Sequence, residues 1–234
     1  MKPKKCAIVS TPRSGTHFLR FTLNNHPWLQ FAGEFFRDSV SMPHIVETQY
    51  EYGIKSYIYN DILDTGMDHL DYVGFIWHLV LDSDLDKNKI DKFIVLERRN
   101  KFEQFVSLTI ASKTGIFSNT KTTERIEVDI NEFFFFLNKN RSLYSDFRNS
   151  TQNYKNVYYE DLCDNFEDTI KDINDYLGVD QYFHKHWGEN WFRTNNGEIM
   201  DYKGLYGGSL KQETRPMKEV IINYEDVKEY DRLW

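Results

Sequence analysis

The stretch Ser10 to Thr16 reads Ser-Thr-Pro-Arg-Ser-Gly-Thr and directly follows a short apolar run. A loop rich in hydroxyls and glycine that opens a helix gathers unpaired backbone N–H groups at the positive end of the helix dipole, which suits an anion. Arg13 adds a full charge inside that loop, where a cation neutralises charge building on a departing phosphate. Thr16 rather than Lys follows Gly15, so the pattern is not that of the ATP- or GTP-hydrolysing loops. A second cluster, Arg98-Arg99-Asn100, ends another apolar run, and Ser107 follows Arg99 by eight positions. Eight residues are about two helical turns, so a guanidinium fork and a hydroxyl face the same end of a sheet, an arrangement suited to a phosphate.

The elements that must position these groups follow from hydrophobic spacing. Lys5 to Ser10 reads as a buried strand, followed by the loop and a helix from His17 to Leu23 with Phe18, Leu19 and Leu23 on one side. Lys92 to Glu97 reads as a second strand, continuous in apolar character as parallel strands covered on both faces are, and runs into a helix from about Lys101 to Ser112. A third strand is predicted at Asn156–Tyr159, with an amphipathic helix near Phe166–Leu177 that stops at Gly178. Further helices are predicted at 43–60 and 129–148, and a charged helix ends the chain. Strands alternating with helices predict an α/β fold: a P-loop-like, doubly wound parallel sheet flanked by helices, in a single domain over 1–234, with ligands beyond the carboxyl ends of the strands.

Composition bounds the partners. The 234 residues carry 29 Lys+Arg against 36 Asp+Glu, a formal charge of −7, which argues against sequence-independent capture of nucleic acid. Residues 1–33 nevertheless hold Lys2, Lys4, Lys5, Arg13 and Arg20 with no acid before Glu34, so an anion is expected at a local site near the start. Cys6 and Cys163, the two cysteines, are read as core thiols, too few for a disulfide scaffold or cysteine metal cluster. No apolar run reaches the ~18 to 20 residues of a membrane span, and a cytoplasmic protein is expected.

Together, Thr11-Pro12-Arg13-Ser14-Gly15-Thr16 before a helix and Arg99-Asn100 with Ser107 eight later resemble the two nucleotide motifs of sulfotransferases that use 3′-phosphoadenosine 5′-phosphosulfate (PAPS). The resemblance covers about residues 5–180. It implies that Pro12 to His17 hold the 5′-phosphosulfate, with Arg13 where many members carry Lys, and that Arg99 and Ser107 hold the 3′-phosphate. It also implies that Tyr159, in Val157-Tyr158-Tyr159-Glu160-Asp161-Leu162, lies near the adenine, and that Lys211, in a carboxyl-terminal stretch similar to bacterial members, contacts the cofactor. Arg98-Arg99-Asn100 with Thr114-Gly115 looks most like bacterial carbohydrate sulfotransferases, the trehalose type included, in which a Glu about twenty residues after the loop cation is a proposed base; Glu34 is 21 after Arg13. The cytosolic small-molecule branch instead uses a His, matched by His78, although Ile76 stands where that branch has Lys.

The implied reaction moves a sulfuryl group from PAPS to a hydroxyl of a carbohydrate or small-molecule acceptor, leaves adenosine 3′,5′-bisphosphate, and calls for no metal. Trp28, Trp77, Trp187 and Trp191 offer flat faces for a sugar or simply fill the core. A P-loop nucleotide kinase is the rival enzyme, disfavoured by the missing loop lysine. A nucleotide-binding module without catalysis is the third reading. The acceptor and the oligomeric state are not legible from the residues.

Overall fold

Five apolar runs pair as parallel strands in the computed structural model, which describes residues 3–34, 70–80, 86–115, 123–181, 191–193, 199–201 and 215–231. They are β1 (Lys4–Ser10), β2 (Leu29–Glu34), β3 (Tyr72–His78), β4 (Lys92–Glu97) and β5 (Tyr154–Tyr158), in the spatial order β2-β3-β1-β4-β5. The helices are α1 (Thr16–Asn24), α2 (Lys101–Thr114), α3 (Ile130–Asn149), α4 (Tyr159–Asp164), α5 (Phe166–Leu177), α6 (Met217–Val220) and α7 (Tyr224–Asp231). Two three-residue strands, β6 (Trp191–Arg193) and β7 (Ile199–Asp201), form a separate antiparallel pair.

Alternation along the strands divides the sheet into two apolar faces. Cys6, Ile8, Ile76, Ile94 and Leu96 point to one side, where Leu19 and Leu23 of α1 and Ile170, Ile173 and Leu177 of α5 cover them. Ala7, Val9, Phe75, Trp77, Phe93 and Val95 point to the other, against Tyr144 and Phe147 of α3. Burial on both faces is why β1 and β4 read as unbroken apolar runs. The fold is the expected mixed α/β arrangement, a five-stranded parallel sheet flanked by helices. A third cluster joins Phe102, Phe105, Val106 and Ile110 of α2 to Phe133, Val220, Ile221 and Val227, so the carboxyl-terminal helices brace the helix that carries the second motif.

Several expectations are corrected. The sequence reading provided neither β2 nor β3. β3 is buried along its whole length, and Gly74 lies at its centre because a Cβ there would come within 2.4 Å of the Cys6 carbonyl oxygen and 2.5 Å of the Phe31 ring. The third predicted strand starts two residues early and ends at Tyr158, so Tyr159 opens α4 instead of closing a strand. Cys6 is buried, but Cys163 is exposed, because α4 lies at the sheet edge with one side towards solvent. The helix expected at 43–60, Trp187 and Lys211 lie outside the described residues. Among the described residues no helix is long and apolar enough to cross a membrane.

Candidate functional site

All five strands of the sheet point the same way, so its carboxyl edge collects their last residues: Glu34, His78, Ser10, Glu97 and Tyr158. From β1 the chain crosses to the edge strand β2, comes back to β3 between them, and then passes over β1 to β4 and β5 on the other side. The crevice at such a reversal, between β1 and β4, is where open α/β sheets bind ligands. Both sequence motifs leave the sheet there.

The first loop is built to turn its oxygens inward. Gln104 of α2, wholly buried, spreads its two amide hydrogens over the Pro12 carbonyl (2.7 Å), Thr11 Oγ1 (3.0 Å) and Ser14 Oγ (3.0 Å). Ser14 in turn donates to the Thr11 carbonyl at 2.8 Å. Below, the Tyr144 hydroxyl accepts from the Thr11 N–H at 3.0 Å and donates to the Leu96 carbonyl at 2.8 Å, tying the loop to β4. Burial pushes the Tyr144 hydroxyl up to about 12, so it stays a neutral donor and acceptor. The Thr11 N–H, the Thr11 and Pro12 carbonyls and the Thr11 and Ser14 hydroxyls are thus held within the loop and by α2 and α3.

The backbone conformation agrees. Arg13 (φ +66°) and Gly15 (φ +88°) are both left-handed, and a non-glycine residue in that region is uncommon and held only where its surroundings demand it. Gly15 caps α1, no side chain bonds to that helix start among the described residues, and the first turn holds no acid. Turns of this kind with an open helix start form anion-binding concavities. Glycine is required at 15 on a second ground, since a Cβ would lie 2.3 Å from Cδ2 of Tyr159, whose ring closes over the loop.

The two motifs meet directly. Arg13 Nε donates to Ser107 Oγ at 3.0 Å, so the loop cation and the serine of the second motif are neighbours. Arg99 stacks on the Tyr158 ring, 4.1 Å from its centroid, and forks end-on to Asp161 at 2.6 and 2.8 Å, a contact that raises its pKa further. Glu160 accepts from the Arg99 and Asn100 N–H groups at 2.9 and 3.0 Å, so a carboxylate of the chain's own occupies the backbone donors ahead of α2. Arg98 is buried, paired with Glu103, and lies over Tyr159 at 5.0 Å. Lys101, held below the usual lysine range chiefly by burial, lies 3.2 Å from Glu97, which also pairs with Arg148. Arg98, Arg99, Lys101 and Arg148 are thus matched by acids from α2, α4 and β4. Asp161 and Glu160 carry no sequence signal as site residues beyond their place after Tyr159, and Gln104 and Tyr144 gave none.

His78 pairs with Ser10 in the β1–β3 register, and its Nδ1 lies 3.0 Å from Ser10 Oγ in a buried contact. Glu34 is the last residue of β2, across from Ile76 after a register shift. His17 is exposed on α1 and Thr16 is buried at its start. Among the described residues no group of three or more His, Cys, Asp or Glu is placed to hold a metal ion.

No family model matches the sequence, and no curated protein matches it. Solved structures do. The sulfotransferase from Alicyclobacillus acidocaldarius superposes with a TM-score of 0.53 at 15% identity, over 78% of this chain and 83% of its own. The sulfotransferase domain of the Synechococcus PCC 7002 olefin synthase gives 0.51 at 15% identity, over 94% and 86%. Mouse sulfotransferase SULT7A1 complexed with PAP gives 0.47 at 17% identity, over 77% of this chain, which spans 60% of the mouse chain. The sheet and its flanking helices have the fold found in the two bacterial sulfotransferases.

Proposed function

We propose that the protein is a PAPS-dependent sulfotransferase acting on a hydroxyl of a carbohydrate or small-molecule acceptor. The observation that carries this reading is the Arg13–Ser107 contact at the β1/β4 crevice, which joins the first loop to the second cationic motif. A ligand with two separate phosphates fits that pairing better than one with a single polyphosphate tail. The fold shared with two sulfotransferases supports the same reading.

In this reading the N–H groups of the first loop and Arg13 bind the 5′-phosphate side and stabilise the charge that grows there, and Arg99 and Ser107 hold the 3′-phosphate. PAPS, when bound, supplies an activated sulfuryl group; the protein supplies position and charge. Tyr159, laid against Gly15, gives a face for the base. Glu34 at the open end of β2 takes the proton of the acceptor hydroxyl. His78, whose Nδ1 is engaged by buried Ser10, orients the loop and acceptor. The bacterial carbohydrate type is the branch we favour, on the motif around Arg98–Ser107.

The test is transfer of label from PAPS across a panel of sugars, glycolipids and small alcohols, run with the unaltered protein, Glu34→Gln and His78→Asn. A labelled acceptor is expected, with Glu34→Gln slower by ~10² to 10⁴ while bisphosphate affinity stays within a few-fold. Full turnover in Glu34→Gln with an inactive, folded His78→Asn moves the base to His78. Bisphosphate binding without transfer to any acceptor supports the binding-module reading instead.

A further inference from the structure

The Arg99 guanidinium is fixed before any ligand arrives. Tyr158 supports its face at 4.1 Å, and both terminal nitrogens are taken end-on by Asp161 at 2.6 and 2.8 Å. The main chain behind it is fixed too, since Glu160 holds the N–H groups of Arg99 and Asn100. Two consecutive carboxylates of α4 thus grip one arginine by its side chain and its backbone.

An exposed ion pair contributes little to stability, and this one is half exposed, with the two side chains 46% and 34% accessible. A role in stability alone therefore explains little of the geometry. An end-on fork consumes one hydrogen on each terminal nitrogen and leaves the Nε–H edge of the guanidinium facing away from Asp161. That edge presents two parallel donors, the spacing that two oxygens of a phosphate accept. A free arginine must give up its rotamer freedom when it binds, whereas one already stacked and forked has little left to lose. The N–H groups ahead of α2, which would otherwise attract any anion, are occupied by Glu160, so an incoming phosphate is directed to side chains.

We infer that Asp161 is a positioning residue that aims the Nε edge of Arg99 at the 3′-phosphate, and so sets the preference of the site for a nucleotide carrying that phosphate. The inference rests on the proposed nucleotide site and names the residue that governs its selectivity. A simple competitor, a carboxylate that must leave before phosphate enters, has the opposite signature: its removal strengthens binding.

Calorimetric titration of adenosine 3′,5′-bisphosphate and adenosine 5′-monophosphate into the unaltered protein, Asp161→Asn, Arg99→Ala and the double variant separates these. Asp161→Asn is expected to weaken the bisphosphate about tenfold and the monophosphate less than twofold, and to add nothing once Arg99 is alanine, because the residue acts through Arg99. Equal or tighter bisphosphate binding by Asp161→Asn overturns the inference, as does equal loss of both ligands, the mark of general disruption. Should Asp161→Asn unfold, Asp161→Glu, which keeps the charge but shifts the fork, is expected to show the same selective loss, and unchanged selectivity there overturns the inference. An unaltered protein that binds neither ligand, or both alike, overturns the nucleotide reading itself and this inference with it.

Discussion

Arg13 and Ser107 are 94 positions apart in the chain and 3.0 Å apart in the fold, Nε to Oγ. Ser107 accepts from Arg13, so its own hydroxyl proton points elsewhere and, in the function proposed above, donates to an anion beside the guanidinium. The pair should act as one unit. Arg13→Ala is expected to cost about 1.5 to 3 kcal/mol of bisphosphate binding, Ser107→Ala about 0.5 to 1.5 kcal/mol, and the double variant less than the two combined. Calorimetry on the three variants checks this, and strict additivity contradicts it.

Gln104 is expected to matter to the loop out of proportion to its distance from any ligand. Gln104→Leu keeps the volume and removes the donor that serves Thr11, Pro12 and Ser14, leaving buried oxygens short of hydrogen at a cost of about 1 to 3 kcal/mol. Urea unfolding measures the loss, which should be accompanied by weaker binding of the bisphosphate. A variant as stable as the original contradicts the account of how the loop is held.

Gly15→Ala places a Cβ 2.3 Å from the Tyr159 ring on a backbone with φ +88°. The strain and the displaced ring together are expected to cost about 1 to 3 kcal/mol and to open the loop. Combining it with Tyr159→Ala should return part of the lost stability, by relieving the clash and leaving only the backbone strain. Thermal melts of the single and double variants decide the matter.

How much of this was legible follows from what each signal depends on. β1, α1, β4, α2 and α5 showed in the sequence because a doubly buried parallel strand is a continuous apolar run and a helix start or stop has its own residues, such as Gly178 at φ +74°. β3 escaped because Gly74 interrupts its run, although that glycine is there for a close contact with β1 and β2. β2 escaped because an edge strand with a register shift has no clean period. Arg13, Arg99 and Ser107 stood out by type and spacing. Gln104, Tyr144 and Asp161 did not, because an amide or a carboxylate on a helix gains its meaning from what the topology brings opposite.

Alkaline pH should loosen the fold in a defined window. Burial pushes the hydroxyls of Tyr72, Tyr144, Tyr159 and Tyr176 up to about 12 from an ordinary 10.0, and raises the Cys6 thiol as well. Groups raised above their unfolded value contribute stability that is fully present below that value and lost as pH rises through the folded one. Lys92 and Lys101, lowered chiefly by burial, work in the other direction and offset part of the loss. The melting midpoint is expected to fall between about pH 10 and 12, and a flat midpoint across that window contradicts the burial of these phenols.

The most direct measurement of the central claim is the melting midpoint against ligand, taken with a chelator present. A ligand that binds only the native state raises the midpoint progressively with its concentration. Adenosine 3′,5′-bisphosphate is expected to do so without metal, because in the proposed function Arg13 and the first loop take one phosphate and Arg99 and Ser107 the other. A midpoint that does not move at millimolar bisphosphate, or that ATP with magnesium raises further in a parallel series without chelator, contradicts the claim.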